Sequence, residues 1–189
     1  PLGRIGIPRC LNMYENYPFW HTLLTHLGFD VVLSSRSDRR LFALGMDTIP
    51  SESVCYPAKL AHGHIADLLK QGVTTIFYPS IPYQPKEFAG ANNRFNCPIV
   101  TSYPDTIKNN MDVRSNGVNF LNPFFNLDKP KSIPGRVYEE FGKFGITRKQ
   151  AQTATDAAFA EQAKYKADIC QKGEETLRWM QETGTRGIV

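Results

Sequence analysis

Cysteines at positions 10, 55, 97 and 170 are the residues best equipped for chemistry, because a thiolate is both a nucleophile and a soft metal ligand. No two form a C-x-x-C pair, so zinc-ribbon, thioredoxin and plant-ferredoxin spacings are excluded. Cys55 stands just before Tyr56-Pro57-Ala58-Lys59, a helix start whose free amides and dipole favour negative charge, with Lys59 one turn further on. The same position also suits a small, half-buried packing residue. Cys97 precedes Pro98 and the run Ile99-Val100-Thr101-Ser102, which reads as a strand, so Cys97 is a loop residue at a sheet edge. Cys10 follows the first strand and could face that edge too, whereas Cys170 falls inside a long helical stretch and is expected to be structural. Loop cysteines from separate β-α units can converge on one metal even when they are as far apart in sequence as Cys55 and Cys97.

The other polar candidates are weaker. His62 and His64 lie two apart on one helix and point in different directions, so one is expected at the surface and one lining a site. His21 and His26 read as surface residues of the first helix. Glu15 and Asn16 follow the first strand, at the edge where open parallel sheets bind ligands, and could equally be turn and cap residues. Asp105 reads as the cap of a helix from Thr106 to Met111. The chain has no G-x-G-x-x-G, Walker loop, G-x-S-x-G or H-E-x-x-H, so dinucleotide, nucleoside triphosphate, esterase and zincin chemistries have no support.

The elements that would position these residues alternate along the first two thirds of the chain. Strands are expected at Arg4 to Ile7, Asp30 to Leu33, Thr74 to Tyr78 and Pro98 to Ser102. Helices are expected from Asn16 to Gly28, Ser37 to Leu44 and Pro57 to Lys70, the last with the stripe Ala58, Ala61, Ile65, Leu68 and Leu69. Strand-helix-strand units of this length imply parallel pairing with right-handed crossovers. Asn116 to Pro134 is rich in Asn, Pro and Phe and reads as an irregular segment anchored by aromatics. Thr147 with Gln150 forms a capping box that opens a helix running to Glu182, with Gly173 as a potential bend. Such a helix exceeds the thickness of a small α/β domain, which implies a bridge to something else. The expected architecture is a Rossmann-like three-layer α/β fold over residues 1–145, followed by the long helix and the start of a cut-off strand at Ile188-Val189 over 146–189.

The 189 residues are enough for a core without disulfides, and the formal charge of +4 comes with no basic cluster, which argues against a nucleic-acid partner. No apolar run approaches a membrane span and the amino end has no signal-peptide layout, so the expected setting is cytoplasmic with reduced thiols.

Two segments carry a family likeness: Gly6 to Trp20 (GIPRCLNMYENYPFW) and Ser51 to His64 (SESVCYPAKLAHGH). The chain resembles the uncharacterised domain that follows the ATPase portion of 2-hydroxyglutaryl-CoA dehydratase activators, also described as CoA-substrate-specific enzyme activases, and is similar in turn to 2-hydroxyacyl-CoA dehydratase subunits. The resemblance implies a [4Fe-4S] cluster with Cys55 and Cys97 as ligands and Cys10 as a third candidate, used in electron transfer to CoA-thioester dehydration. Lys59 and the helix amides would offset the negative charge of such a cluster, whereas in a cluster-free reading the sheet edge near Glu15, His64 and Ser80 would hold a small anionic group or a partner surface. In the resembled family the position of Cys10 more often holds an aliphatic residue and that of Ser80 frequently a cysteine, so a cluster here would be completed elsewhere in the parent chain, or by a dehydratase or ATPase partner. ATPase motifs are absent from these residues. The alternative is a non-catalytic ligand-binding or docking domain without a cluster.

Overall fold

A computed structural model describes residues 2–113 and 117–188. Short apolar runs flanked by Gly and polar residues form the strands β1 (Arg4–Ile7), β2 (Asp30–Leu33), β3 (Thr75–Phe77) and β5 (Asn119–Leu121). They pair in the order β2-β1-β3-β5, all parallel, with Arg4 opposite Asp30, Gly6 opposite Ile76 and Ile76 opposite Phe120. A second, two-stranded parallel ladder joins β4 (Ser80–Tyr83) to β6 (Phe124–Asn126).

Two helices connect or follow the strands as the apolar stripes require. Helix α1 (Tyr17–His26) carries Pro18 in its first turn and buries Phe19, Trp20, Leu23 and Leu24. Helix α3 (Tyr56–Lys70) has Pro57 in its first turn and buries Ala58, Ala61, Ile65 and Leu68 on one face. Between them in sequence lies α2 (Arg39–Gly45), whose N-cap Asp38 accepts from the Leu41 amide at 2.7 Å. The remaining helices are α4 (Pro98–Asn110), α5 (Ile133–Phe141) and α6 (Arg148–Thr183).

The step from β1 through α1 to β2 moves one way along the sheet, and the steps from β2 to β3 and β3 to β5 move the other way. Right-handed crossovers therefore put α1 on one face and α3 and α4 on the opposite face. Helices α5 and α6 join the α1 layer, where α6 packs along α1 and α5. The core beneath that layer is aromatic. Trp20 stands edge-on to Phe77 and Phe125 at centroid distances of 5.1 Å, and Phe29 meets Phe141 at 5.8 Å. Each such fully buried ring contributes about 1.5–3 kcal/mol through the area it removes from water.

Three sequence expectations are corrected here. Pro98 to Ser102 is the first part of α4 and not a strand, because Pro98 suits a first helical turn and burial then follows helical spacing at Tyr103 and Ile107. Asp105 consequently lies within α4 and accepts from Asn122 Nδ2 at 2.7 Å, so it caps nothing. The aromatic segment contains β5 and β6 and is followed by α5, none of which the polar, Pro-rich pattern displayed; Asn116 lies outside the described residues.

The long helix is present and passes through Gly173 without interruption. Its capping box is closed on both sides, with Gln150 N donating to Thr147 Oγ1 at 3.2 Å and Thr147 N to Gln150 Oε1 at 2.9 Å. Ala151, Ala154 and Ala158 are buried, while beyond them Ile169, Leu177 and Trp179 stand exposed. Residues after the C-cap Gly184 form no strand up to Ile188, and Val189 lies outside the described residues.

Helices α2 and α3 cross at glycines. A Cβ on Gly63 would overlap the Leu41 carbonyl, and one on Gly45 would overlap the backbone of His62 and Gly63. Neither backbone can yield without separating the helices, so Gly63→Ala is expected to destabilise the fold by about 1–3 kcal/mol, read as a lowered midpoint of urea unfolding at unchanged slope.

Candidate functional site

The strands β1 and β3 are neighbours whose onward connections leave in opposite directions, so the loops after them part at the carboxyl edge of the sheet. Cys10 and Asn12 lie beyond β1, and Tyr78 and Ser80 beyond β3. Between Cys10 and Asn12 the backbone of Leu11 turns into the left-handed region at φ 47°. That costs about 1–2 kcal/mol for a residue with a Cβ. All four flanking residues are buried. Both side-chain polar atoms of Asn12 and the Ser80 hydroxyl have no hydrogen-bond partner among the described residues, and the Tyr78 hydroxyl faces only the Cys10 thiol.

Helices α3 and α4 both begin at this edge, since each precedes a strand of the same parallel sheet and runs back against it. Cys55 is the N-cap of α3 and Cys97 the N-cap of α4, each followed by proline in the first turn. Neither thiol caps its own helix and both are exposed. The two helices touch at matching depth, where His62, seven residues past Cys55, meets Tyr103, six past Cys97, with ring centroids 5.6 Å apart. The thiols thus stand at the starts of two adjacent, co-directional helices.

His62 and His64 are both fully buried, contrary to the expectation that one would be at the surface, because the α2 crossing and the loop after β2 cover their two sides of α3. Thr48 Oγ1 spends its hydrogen on the Gly45 carbonyl at 2.8 Å, so it accepts from His62 Nδ1–H at 2.8 Å. His62 Nε2 is then free to accept from the Tyr103 hydroxyl at 3.2 Å. His64 is held by Ser34 Oγ at 2.8 Å and Ser37 Oγ at 3.0 Å. Burial lowers both imidazoles to about 4, keeping them neutral; at His64 a nearby Asp67 opposes the shift.

Burial also pushes the Cys10 thiol up to about 12, with the adjacent Tyr78 hydroxyl opposing only in part. Tyr103 is raised to about 12, first by burial and then by the neighbouring Cys55 and Cys10 thiols.

The remaining predicted residues divide. Ser80 belongs to this edge. Lys59 Nζ donates to the Glu52 carbonyl at 2.6 Å and so fastens the loop ahead of Cys55. His64 is occupied by its serines, and Glu15 lies in a separate groove beside α6. Cys170, expected to be structural, is exposed on the unpacked part of α6. Asn12, Tyr78 and Tyr103 escaped sequence reasoning; a buried Asn after a strand was the one available signal. Among the described residues, no group of three or more His, Cys, Asp or Glu side chains converges as a metal-binding set, and no helix is long and apolar enough to cross a membrane.

A family model described as the CoA enzyme activase uncharacterised domain matches residues 4–189. The chain belongs to that family. No curated protein and no solved structure matches it. Both the edge thiols and the buried histidines of this activase-family domain lie inside the matched span.

Two outcomes follow. The histidines bind protons in the unfolded chain below about 6.5 but in the folded domain only below about 4, so unfolding takes up protons in that window. Stability is full above pH 6.5 and falls as pH drops toward 4, and replacing both histidines with Gln should flatten that part of a pH series of urea melts. With a chromogenic disulfide at pH 8, Cys55, Cys97 and Cys170 are expected to react in the native protein and Cys10 only after unfolding.

Proposed function

We propose that this domain serves CoA-enzyme activation by presenting Cys55 and Cys97 as two sulfur ligands for one side of a [4Fe-4S] cluster. The observation that carries this reading is the pair of exposed thiols at the starts of two packed, co-directional helices. Packed helices lie about 8–10 Å apart, and the termini can close on a shared cluster from that spacing. The donor set suits one face of a cluster and not the whole of it, because Cys10 is buried and strongly protonated and Ser80 stands in the remaining edge position. Further ligands would come from the rest of the parent chain or from a dehydratase or ATPase component.

When bound, such a cluster supplies or accepts one electron at low potential. The chain's own residues do the rest. The free amides at the starts of α3 and α4 offset the negative charge of two thiolates. Lys59 anchors the Ser51–Cys55 loop through Glu52, and Tyr103, hydrogen-bonded to neutral His62, holds α4 at fixed depth against α3. Rigid ligand positions and a desolvated floor are what tune a cluster from the protein side.

A second reading rests on a different observation. The Asn12 side chain and the Ser80 hydroxyl are without partners at the same edge, as groups awaiting a small polar ligand would be, with no metal involved.

Anaerobic reconstitution of the parent chain with iron and sulfide is expected to load about four iron per cluster, and the Cys55→Ala, Cys97→Ala double variant to lose that iron while keeping its circular dichroism spectrum. Iron retained by the double variant would overturn the ligand assignment. A parent chain that never takes up iron would leave the small-ligand reading standing.

A further inference from the structure

Where β1 and β2 end side by side, with Ile7 opposite Leu33, a cavity of about 360 Å³ opens between the loop after β1, the start of α1 and Tyr165 of α6. That is the size range of small-molecule sites. Its backbone is fixed from within the domain. Pro8 restricts the chain as it leaves β1, Arg9 N donates to the buried Ser34 Oγ at 2.8 Å, and Ser34 N donates to the Ile7 carbonyl at 3.2 Å. Neither Cys55 nor Cys97 lines the cavity.

The charge in its wall is unspent. Arg9 is the one charged residue among those lining the cavity, and its guanidinium enters no hydrogen bond or ion pair among the described residues. The residue is partly buried, and its guanidinium carbon stands 5.9 Å from the centroid of the Tyr14 ring. A guanidinium so placed has given up part of its hydration with no carboxylate in return. Glu15, the nearest acidic residue in sequence, lines the separate groove beside α6.

The rest of the wall is aliphatic or aromatic. Ile7, Pro8, Met13 and Leu33 supply the aliphatic part, and the rings of Tyr14, Tyr17 and Tyr165 come from three separate pieces of chain. Tyr14 and Tyr165 are 48 % and 36 % exposed, so a molecule in the cavity can reach them. Tyr17 is held against His21 with ring centroids 5.3 Å apart. Such rings favour another planar ring through offset and edge-on contacts. Charge then selects the polar end of the ligand. One guanidinium without a second cation in the wall matches a single negative charge, and its planar fork takes a carboxylate through two parallel hydrogen bonds. A phosphate dianion would leave part of its charge unmet.

We infer that this cavity binds a small aromatic monocarboxylate, whose carboxylate pairs with the Arg9 guanidinium and whose ring lies among Tyr14, Tyr17 and Tyr165. Binding there requires neither Cys55 nor Cys97.

The test is calorimetric titration of the parent chain with 2-naphthoate, its uncharged counterpart 2-naphthamide, and 2-naphthyl phosphate. The acid is expected to bind saturably, and the amide at least about tenfold more weakly, the loss of one charge-assisted pairing. Arg9→Gln keeps the backbone bond to Ser34 and removes no side-chain hydrogen bond of the fold, so it should bring acid and amide to within about twofold of each other. Tyr165→Ser, at an exposed position, should weaken both by about three- to tenfold while the acid stays preferred. The Cys55→Ala, Cys97→Ala variant should bind 2-naphthoate unchanged, which separates this cavity from the cluster proposal. Absence of saturable binding, equal binding of acid and amide by the unaltered chain, or an Arg9→Gln chain that still prefers the acid would overturn the inference. So would tighter binding of the phosphate than of the acid.

Discussion

Parallel pairing of β1 with both of its neighbours is the constraint from which the rest of the arrangement follows. A strand paired in parallel on both sides cannot be connected to either neighbour by a hairpin, so each connection must cross a face of the sheet. With right-handed crossovers in opposite directions, α1 is committed to one face and α3 and α4 to the other. The loops beyond β1 and β3 are then left without a common helix to cover them. Polar groups at Asn12 and Ser80 are buried there without partners of their own.

The same constraint explains why the buried titratable groups act as framework. On the α3 side, His62 and His64 have both ring nitrogens occupied by hydroxyl groups, and their neutral form is the one the surroundings stabilise. Each links α3 to another piece of chain: His62 to the turn after α2 and to α4, His64 to the loop after β2. A protonated imidazole would need an acceptor at each nitrogen; at His62 Thr48 already accepts, so it is the Tyr103 hydroxyl that would have to turn from donor to acceptor. Among these cysteines Cys55 and Cys97 are exposed at their helix starts, while Cys10 is a buried, packed thiol.

Sequence patterning made the framework legible wherever one rule dominated. DVVL coincides with β2, the Ala58 to Leu68 stripe with the buried face of α3, and the Thr147-Gln150 box with the start of α6. It misled where two rules competed. In PIVTS the β-branched residues suggest a strand, but Pro98 is compatible with a first helical turn and the packing of Tyr103 on His62 decides the outcome. The two cysteines were legible as helix-start and sheet-edge positions; that both open packed helices was not, since it depends on α4 being a helix. The buried histidines were misjudged because spacing alone carries no information on the α2 crossing, where Gly45 and Gly63 let two backbones approach and seal one side of α3.

The sheet edge beyond β1 and the groove lined by Asn16, Phe19 and Gln162 are both positioned by one stretch of chain. From Cys10 to Asn16 the backbone closes on itself, with Met13 N donating to the Cys10 carbonyl at 3.0 Å and Asn16 N to the Asn12 carbonyl at 3.1 Å. Cys10 and Asn12 turn toward the sheet edge, and Asn16, at the end of the same turn, lines the groove. The left-handed Leu11 lies inside this turn, so its conformational cost is held in place by packing on both faces at once. Gln162 completes the brace from α6 by filling hydrogen-bonding positions at Phe19 and Glu15 that the first turn of α1 would otherwise leave to water. A side chain reaching across more than 140 residues of sequence to finish a helix start is a tertiary cap. Its consequence is that the placement of Asn16, and through it of the turn bearing Cys10 and Asn12, depends on α6 being docked against α1.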